Sequence, residues 1–138
     1  MRRLLPIASV TAIAIVLGVV WYLNRTTCDE SEYWGEVCYG FRWGKAVQMT
    51  VDRNRDGVPE AQARYRGGLG HDPRYTHAKP EESWEDWDGD GRFDHHYGYG
   101  DDGLDLLQID TTGDGTFDLR LSGDDAREYL ADNPWPGV

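Results

Sequence analysis

Residues 104–121 read Leu104-Asp-Leu-Leu-Gln-Ile109-Asp110-Thr-Thr-Gly-Asp114-Gly115-Thr-Phe-Asp118-Leu-Arg-Leu121. Apolar side chains dominate the first six positions and alternate with polar ones in the last five, which is the two-residue period of a β-strand. The nine residues from Asp110 to Asp118 include three aspartates, and Gly115 among them lets the backbone turn sharply. The stretch therefore predicts a strand, an acidic turn and a second strand.

Two further copies of the acidic segment precede this one. Residues 52–60 read Asp-Arg-Asn-Arg-Asp-Gly-Val-Pro-Glu, and residues 86–94 read Asp-Trp-Asp-Gly-Asp-Gly-Arg-Phe-Asp. Residues 52–60, 86–94 and 110–118 are named loops 1, 2 and 3. Strand-like flanks surround loops 1 and 2 as well: Val47, Met49, Val51, Ala61, Ala63 and Tyr65 for the first, and residues 82–85, Phe93, His95, Tyr97 and Tyr99 for the second. The chain is built from internal repeats.

These repeats predict a mainly β fold, a meander of three β-hairpins with acidic loops at their tips. A glycine- and proline-containing insertion, residues 67–81, separates the first two repeats and is expected to be a surface loop. After the last strand, Ser122 or Asp124 can cap a short C-terminal helix over residues 126–131, which Asn133 and Pro134 end. Of the eight tyrosines and six tryptophans, Tyr22 and Trp21 are expected at the membrane interface and the others mainly in the core of this small sheet.

The N-terminus predicts a transmembrane helix. Arg2 and Arg3 precede an uncharged stretch, residues 4–23, of about twenty residues, which is long enough to cross a bilayer. We interpret residues 1–25 as a signal-anchor, residues 26–44 as a disulfide loop and linker, and residues 45–138 as the repeat domain. The expected location is a bacterial inner membrane, single-pass, with the C-terminal domain periplasmic. Secretion after signal cleavage is the alternative.

An exported domain is consistent with the cysteines and the charge. Cys28 and Cys38 are the two cysteines of the chain and are expected to form a disulfide. Without Arg2, Arg3 and Arg25, 11 basic residues remain against 25 acidic ones, so the net charge of the exported part is about −14. Nucleic acid and anionic lipid are therefore not expected partners of that surface.

The acidic loops predict cation binding. Oxygen-bearing side chains at alternate positions, followed by a glycine, are what Ca²⁺ needs to collect six to eight oxygens at roughly 2.4 Å. We expect up to three Ca²⁺ ions. The competing interpretation is that the loops are turns without metal, because Asp, Asn and Gly also dominate hairpin turns for conformational reasons.

The loops resemble known calcium loops. An EF-hand carries a bidentate Glu at its twelfth position, where this chain has Ala63, Tyr97 and Leu121. The nine-residue form with an acid at its ninth position is similar to the Ca²⁺ hairpin loops of integrin α-subunit propellers and to the loops of thrombospondin type-3 repeats. The resemblance implies these ligands, with Val58, Arg92 and Thr116 acting through backbone carbonyls: Asp52, Asn54, Asp56, Val58 and Glu60; Asp86, Asp88, Asp90, Arg92 and Asp94; Asp110, Thr112, Asp114, Thr116 and Asp118.

The loops are not expected to be equal. Loop 2 has four carboxylates, loop 1 places Arg53 and Arg55 beside its site, and loop 3 replaces one acid with Thr112. The predicted order of affinity is loop 2, loop 1, loop 3, with dissociation constants of about 10⁻⁴ to 10⁻³ M. Adjacent strand residues point to opposite faces, so we expect His95 to contact one sheet face and His96 to be solvated.

These features predict a membrane-anchored, extracytoplasmic calcium-binding repeat protein in which Ca²⁺ is structural. The alternative is a calcium-dependent interaction module that binds a protein or glycan partner. No catalytic constellation is recognised, because neither a free cysteine nor a Ser-centred glycine elbow is expected, so an enzyme is not predicted.

Overall fold

The computed structural model describes residues 7–66 and 79–134. It contains two helices and eight strands in these residues: α1 (Ile7–Leu23), β1 (Thr26–Ser31), β2 (Gly35–Arg42), β3 (Lys45–Asp52), β4 (Ala61–Arg64), β5 (Glu82–Glu85), β6 (His95–Gly100), β7 (Gly103–Ile109), β8 (Leu119–Ser122) and α2 (Gly123–Asp132). Most of the insertion, including His71 and His77, lies outside the described residues.

All eight strands form one antiparallel meander in which each strand pairs with the next along the chain. The prediction of a mainly β meander with a short C-terminal helix is confirmed. The predicted hairpins correspond to β3–β4, β5–β6 and β7–β8, and loops 1, 2 and 3 connect their strands. Short connections between sequence neighbours favour this order, except between β4 and β5, which residues 65–81 connect.

The sheet is larger than the sequence predicted. Residues 26–44, expected to be a disulfide loop and linker, form the hairpin β1–β2, and β2 continues the sheet by pairing with β3. Cys28 lies directly opposite Cys38 in this hairpin, and their disulfide is present. The cross-link therefore joins two neighbouring strands of the sheet rather than closing an irregular loop.

The two faces of the sheet differ because side chains alternate along each strand. One face carries the buried apolar residues Val37, Val51, Ala63, Tyr97, Leu107 and Ile109. Helix α2 covers this face at β7 and β8, where Ala126 is fully buried and Tyr129 and Leu130 pack at its margin. This corner is the hydrophobic core. Two described tryptophans that were expected in the core, Trp34 and Trp43, are instead exposed.

Helix α2 begins at Gly123, directly after one of the two predicted caps and three residues before the predicted helical range of 126–131. Ser122 occupies the N-cap position with an extended backbone, although its side chain makes no capping hydrogen bond. Asp124 and Asp125 in the first turn instead face the positive end of the helix dipole, which favours them electrostatically. At the other end, the backbone N–H of Asn133 donates to the carbonyl of Tyr129 and closes the last turn.

Helix α1 occupies the predicted anchor segment, and its side chains from residue 11 to residue 22 are all exposed. Arg2, Arg3 and the start of the apolar stretch lie outside the described residues. Among the helices within residues 7–66 and 79–134, none has both the length and the apolar character that a membrane crossing requires. The crossing expected from the sequence is therefore not observed, and membrane association stays a prediction.

The meander places α1 and the acidic loops at opposite ends of the sheet. The β1–β2 turn and loops 1, 2 and 3 lie at one end, named the loop end. The C-terminus of α1 and the turns β2–β3 and β6–β7 lie at the other, named the helix end. Each strand reverses the chain direction, so loops that follow β3, β5 and β7 must emerge together.

Candidate metal site

The three loops share one arrangement around their first residue. The carboxylates of Asp52, Asp86 and Asp110 are buried, and each accepts hydrogen bonds from the backbone N–H groups of the fourth and sixth loop residues. The donors are Arg55 and Gly57 in loop 1 (2.6 and 2.8 Å), Gly89 and Gly91 in loop 2 (2.7 and 2.8 Å), and Gly113 and Gly115 in loop 3 (2.8 and 2.5 Å). The first aspartate thus organises the whole turn.

The fifth and ninth residues repeat the pattern. The fifth residue accepts from the N–H of the seventh, and the ninth accepts from the N–H of the second. The pairs are Val58 to Asp56, Arg92 to Asp90 and Thr116 to Asp114 (2.8 Å each), then Arg53 to Glu60 (2.6 Å), Trp87 to Asp94 (3.0 Å) and Thr111 to Asp118 (3.1 Å). Backbone donors therefore orient the carboxylates at positions one, five and nine.

The third position separates loop 3 from the others. Asn54 Oδ1 and Asp88 Oδ1 each accept the N–H of the fifth residue, at 2.8 and 3.1 Å. In loop 3 the hydroxyl of Thr112 instead donates to Asp110 Oδ1 at 3.2 Å. This difference weakens the case for loop 3 as a cation site, because its third-position oxygen is engaged with the carboxylate of the first residue.

Each loop contains two residues in the left-handed region. Loops 2 and 3 place glycine at both positions, whereas loop 1 places Arg55 at the fourth, with φ of 63°. The sequence pattern indicated a conformational role for the glycine at the sixth position, whereas the same requirement at the fourth position was not predicted. The signal was present in Gly89 and Gly113, because two glycines at the same position of two repeats indicate a backbone requirement.

Loop 2 brings carboxylates together. One oxygen from each of Asp86, Asp88 and Asp94 lies within 4.8 Å of the other two, and this group can hold a metal ion. Asp90, the remaining acid of the loop, binds the N–H of Arg92 and is not in this set. In the part of the chain that the structure describes, the acids of loops 1 and 3 do not form such a group.

The charges of loop 2 are compensated mainly by backbone N–H groups. Within residues 7–66 and 79–134, no lysine or arginine forms an ion pair with Asp86, Asp88 or Asp90. Like charges held this closely repel one another, and a cation between them would remove the repulsion.

In loop 3, burial opposes ionisation of Asp110, but the N–H groups of Gly115, Gly113 and Thr112 outweigh it and hold the pKa of that carboxyl below its usual value.

Residues of the sheet support the ninth residue of loop 2, Asp94. His95 Nδ1 lies 2.7 Å from Asp94 Oδ1, which also accepts the N–H of Trp87. The Trp87 indole N–H donates to Glu85 Oε2 at 2.8 Å, and the hydroxyl of Tyr97 donates to the same oxygen at 3.3 Å. The sequence placed His95 on a sheet face but did not connect it with Asp94, because the contact depends on how the loop returns to the strand.

Loops 1 and 2 lie side by side. A cleft of about 120 Å³ between them is lined by Asn54, Asp56, Val58, Glu60, Asp86, Gly89, Asp90 and Gly91. A Cβ atom added to Gly91 would lie 3.5 Å from Val58 Cγ1, which shows how closely the tips approach. The two best predicted cation loops are therefore neighbours at the loop end.

A second group of metal-ligating residue types is not a free site. Cys28, Glu36 and Cys38 lie within 4.8 Å of one another, but both sulfurs are engaged in the disulfide. The expectation that His96 is solvated is wrong. Its side chain is 12% exposed, stacks on Trp84 and bonds to Gln108 Oε1 at 2.8 Å.

Comparison with models of protein families, with curated proteins and with solved structures finds no match to this chain. Its function is therefore argued from the residues and geometry of the chain itself.

Proposed function

We propose that this chain is a calcium-binding repeat protein whose ions are structural and order the loop end of the sheet. The observation that carries the proposal is the convergence of Asp86, Asp88 and Asp94 in loop 2. The same backbone hydrogen bonds orient the carboxylates at positions one and nine of loops 1 and 3, which supports further sites there. The likeness of the motif to integrin-type and thrombospondin-type calcium loops supports the same conclusion.

The ligand chemistry favours Ca²⁺ over other common ions. The loop ligands are oxygens, whereas zinc sites usually include nitrogen or sulfur. Mg²⁺ demands a small, nearly ideal octahedron, while Ca²⁺ accepts irregular shells of six to eight oxygens at hairpin tips. Loop 2 remains the expected strongest site, because its three converging carboxylates supply the largest negative charge.

A structural role follows from how the loops are built. Binding of Ca²⁺ to the folded loop, and not to the unfolded chain, stabilises the fold in proportion to the logarithm of free calcium. At a hundredfold excess over the dissociation constant, one site contributes about 2.7 kcal/mol. Folding of the domain is thereby coupled to calcium outside the cytoplasm.

The extracytoplasmic, membrane-anchored location is part of the proposal. The disulfide between Cys28 and Cys38 is favoured in an oxidising compartment. The apolar side chains of α1, exposed on all sides from residue 11 to residue 22, favour an apolar environment around that helix.

Calcium titration of the chelator-treated full chain, followed by calorimetry and thermal melting, tests the metal. We expect heat of binding and a melting temperature that rises with calcium. Asp88→Asn, which removes a converging carboxylate while preserving shape, is expected to abolish the tightest binding step. Asp101→Asn is the matched control, because Asp101 is exposed in the β6–β7 turn at the helix end. An unchanged melting temperature and no binding heat would refute the proposal.

A second candidate is calcium-dependent binding of a protein or glycan. The observation that favours it is the β1–β2 turn, where Tyr33 is 80% and Trp34 is 48% exposed at the same end as the loops. An adjoining groove of about 320 Å³ is lined by Trp34, Val37, Tyr39, Met49, Val51, Arg53, Ala61 and Glu85. Binding on a glycan array that requires calcium and is lost in Trp34→Ala would favour this function over a purely structural one.

A further inference from the structure

The turn of the β2–β3 hairpin is hydrogen-bonded to the C-terminal end of α1 and to Asn24, the residue after it. The N–H of Gly44 donates to the carbonyl of Leu23 at 2.8 Å, and the N–H of Trp43 donates to Asn24 Oδ1 at 3.3 Å. Asn24 also donates through Nδ2 to the carbonyl of Val20 at 2.8 Å. The carbonyls of Leu23 and Val20, at the end of α1, thereby gain hydrogen-bond partners that helix-end carbonyls otherwise lack. The helix end, Asn24 and the turn are therefore joined by hydrogen bonds.

The β2–β3 turn contains two locally unfavourable features. It has two residues, and Trp43 adopts φ of 52°, a left-handed conformation that Asn and Gly favour and bulky residues avoid. Arg42 and Lys45 face each other directly across the hairpin, where like charges repel. Such costs at one turn indicate selection for something other than stability of the isolated fold.

The side chains of the turn are directed to solvent and match a bilayer interface. Trp43 is 64% exposed, and Arg42 and Lys45 are exposed beside it. Arg25, at the end of α1, lies over the rings of Tyr22 and Phe41, at 3.9 and 5.1 Å from their centroids. Tryptophan and tyrosine rings favour the headgroup level of a membrane, and arginine and lysine bind its phosphates.

We propose that Arg25, Arg42, Trp43 and Lys45, named the basic rim, form a docking surface for the anionic phospholipid headgroups around α1. The inference rests on the proposed membrane association of α1. The net charge of −11 disfavours anionic lipid as a partner of the surface as a whole, but the basic residues Arg25, Arg42 and Lys45 give the basic rim a local charge complementary to such headgroups. Among the acids of the same sheet end, Glu81 and Glu82 are paired with Arg66 and Arg64. Asp101 and Asp102 lie four strands away, about 19 Å by strand spacing and beyond the screening length at physiological salt.

The basic rim gives the domain an orientation. With the helix end held against headgroups, the acidic loops at the opposite end point away from the negatively charged surface. This orientation places the basic rim at the membrane and the acidic loops away from it, so loops 1, 2 and 3 are accessible to calcium in the surrounding solution.

The full chain reconstituted into vesicles of phosphatidylcholine, with or without phosphatidylglycerol, tests the basic rim. Lipids brominated near the headgroup quench tryptophans at that depth. Trp43→Asn is expected to remove a quenched component and also to raise the melting temperature, because Asn suits the left-handed turn. Trp34→Asn, at the loop end, is the matched control and is expected to leave the lipid quenching unchanged. Arg42→Gln with Lys45→Gln is expected to lower the preference for brominated phosphatidylglycerol, by about fivefold per basic residue.

The outcomes separate this proposal from the one it rests on. If the chain floats with the vesicles but Trp43→Asn leaves the quenching unchanged, the basic rim is wrong and the anchor stands. A chain that does not float with vesicles of either composition would overturn both. A fall in melting temperature in Trp43→Asn, without a change in lipid quenching, would assign Trp43 to packing and also refute the basic rim.

Discussion

The imidazole of His95 stacks on the indole of Trp87, with 3.9 Å between ring centroids and 16° between ring planes. Both residues also bond to the carboxylate of Asp94, Trp87 through its backbone N–H and His95 through Nδ1. A carboxylate only accepts, so Nδ1 is the donor. The first strand residue after loop 2 therefore positions the last expected metal ligand of that loop.

Replacing His95 is expected to weaken calcium binding without removing a ligand. His95→Phe preserves the stacking on Trp87 but loses the bond to Asp94, and loss of such an outer partner typically lowers metal affinity 10- to 100-fold. Calorimetric titration of loop 2 measures the change. His96→Phe is the control, because His96 bonds to Gln108 on the opposite face. Equal affinities in His95→Phe and the unsubstituted chain would contradict a positioning role.

The first aspartate of a loop is expected to matter even without calcium. Asp86 is 5% exposed and accepts two backbone N–H groups, so Asp86→Ala leaves two donors unpaired at a cost of about 1 to 3 kcal/mol each in unfolding free energy. Asp88 is exposed, and Asp88→Ala should cost less than about 1 kcal/mol. Urea denaturation in excess chelator gives both values. A reversed order would mean that the loop is not organised by its first residue.

Replacing Arg55 of loop 1 with glycine is expected to stabilise the fold. Arg55 holds the left-handed conformation that glycine holds in the other two loops, at φ of 63°. Arg55→Gly should raise the unfolding free energy by about 0.5 to 1 kcal/mol, the relief of left-handed strain less the added entropy of the unfolded chain. Arg55→Ala removes the same charge but retains the left-handed strain. Denaturation of both variants in the presence of chelator therefore separates the effect of charge from the effect of strain. A gain in Arg55→Ala equal to that in Arg55→Gly would assign the effect to charge.

Stability is expected to fall in alkaline solution. Burial raises the pKa of the Tyr97 hydroxyl, and the neighbouring carboxylate of Glu85 raises it further. A raised folded pKa favours the neutral hydroxyl, so its contribution to stability is complete below the unfolded pKa of about 10 and is lost as pH rises above it. Thermal melting between neutral and alkaline pH measures this loss. Tyr97→Phe should flatten the decline, and an unchanged slope would exclude Tyr97 as its source.

The hairpins and the α2 helix could be predicted from sequence because their signals are local. Alternation in β3, β7 and β8 and the repeated acidic turns define strands without reference to the rest of the chain. The β1–β2 hairpin was missed because β1, Thr-Thr-Cys-Asp-Glu-Ser, shows no apolar alternation. Its place in the sheet depends on pairing with β2, which no local pattern reveals.

The candidate site divides in the same way. The spacing of acids predicted which residues belong to the loops, and it ranked loop 2 first. It did not predict that three of its four carboxylates converge while Asp90 turns to the N–H of Arg92, because side-chain direction follows from the left-handed residues of the turn. The enclosure of His96 between Trp84, Gln108 and Phe117 likewise needs the register of neighbouring strands.

The sequence by itself determined the repeats, the hairpin tips, the disulfide partners and the oxygen chemistry of the loops, since each depends on residue types at short spacing. The tertiary structure decided that all three loops emerge at one end of the sheet and that α1 joins the other end. It also decided that the β2–β3 turn is hydrogen-bonded to the end of α1 and that His95 contacts Asp94. These relationships arise from antiparallel pairing across many residues, which brings together groups that no local pattern connects.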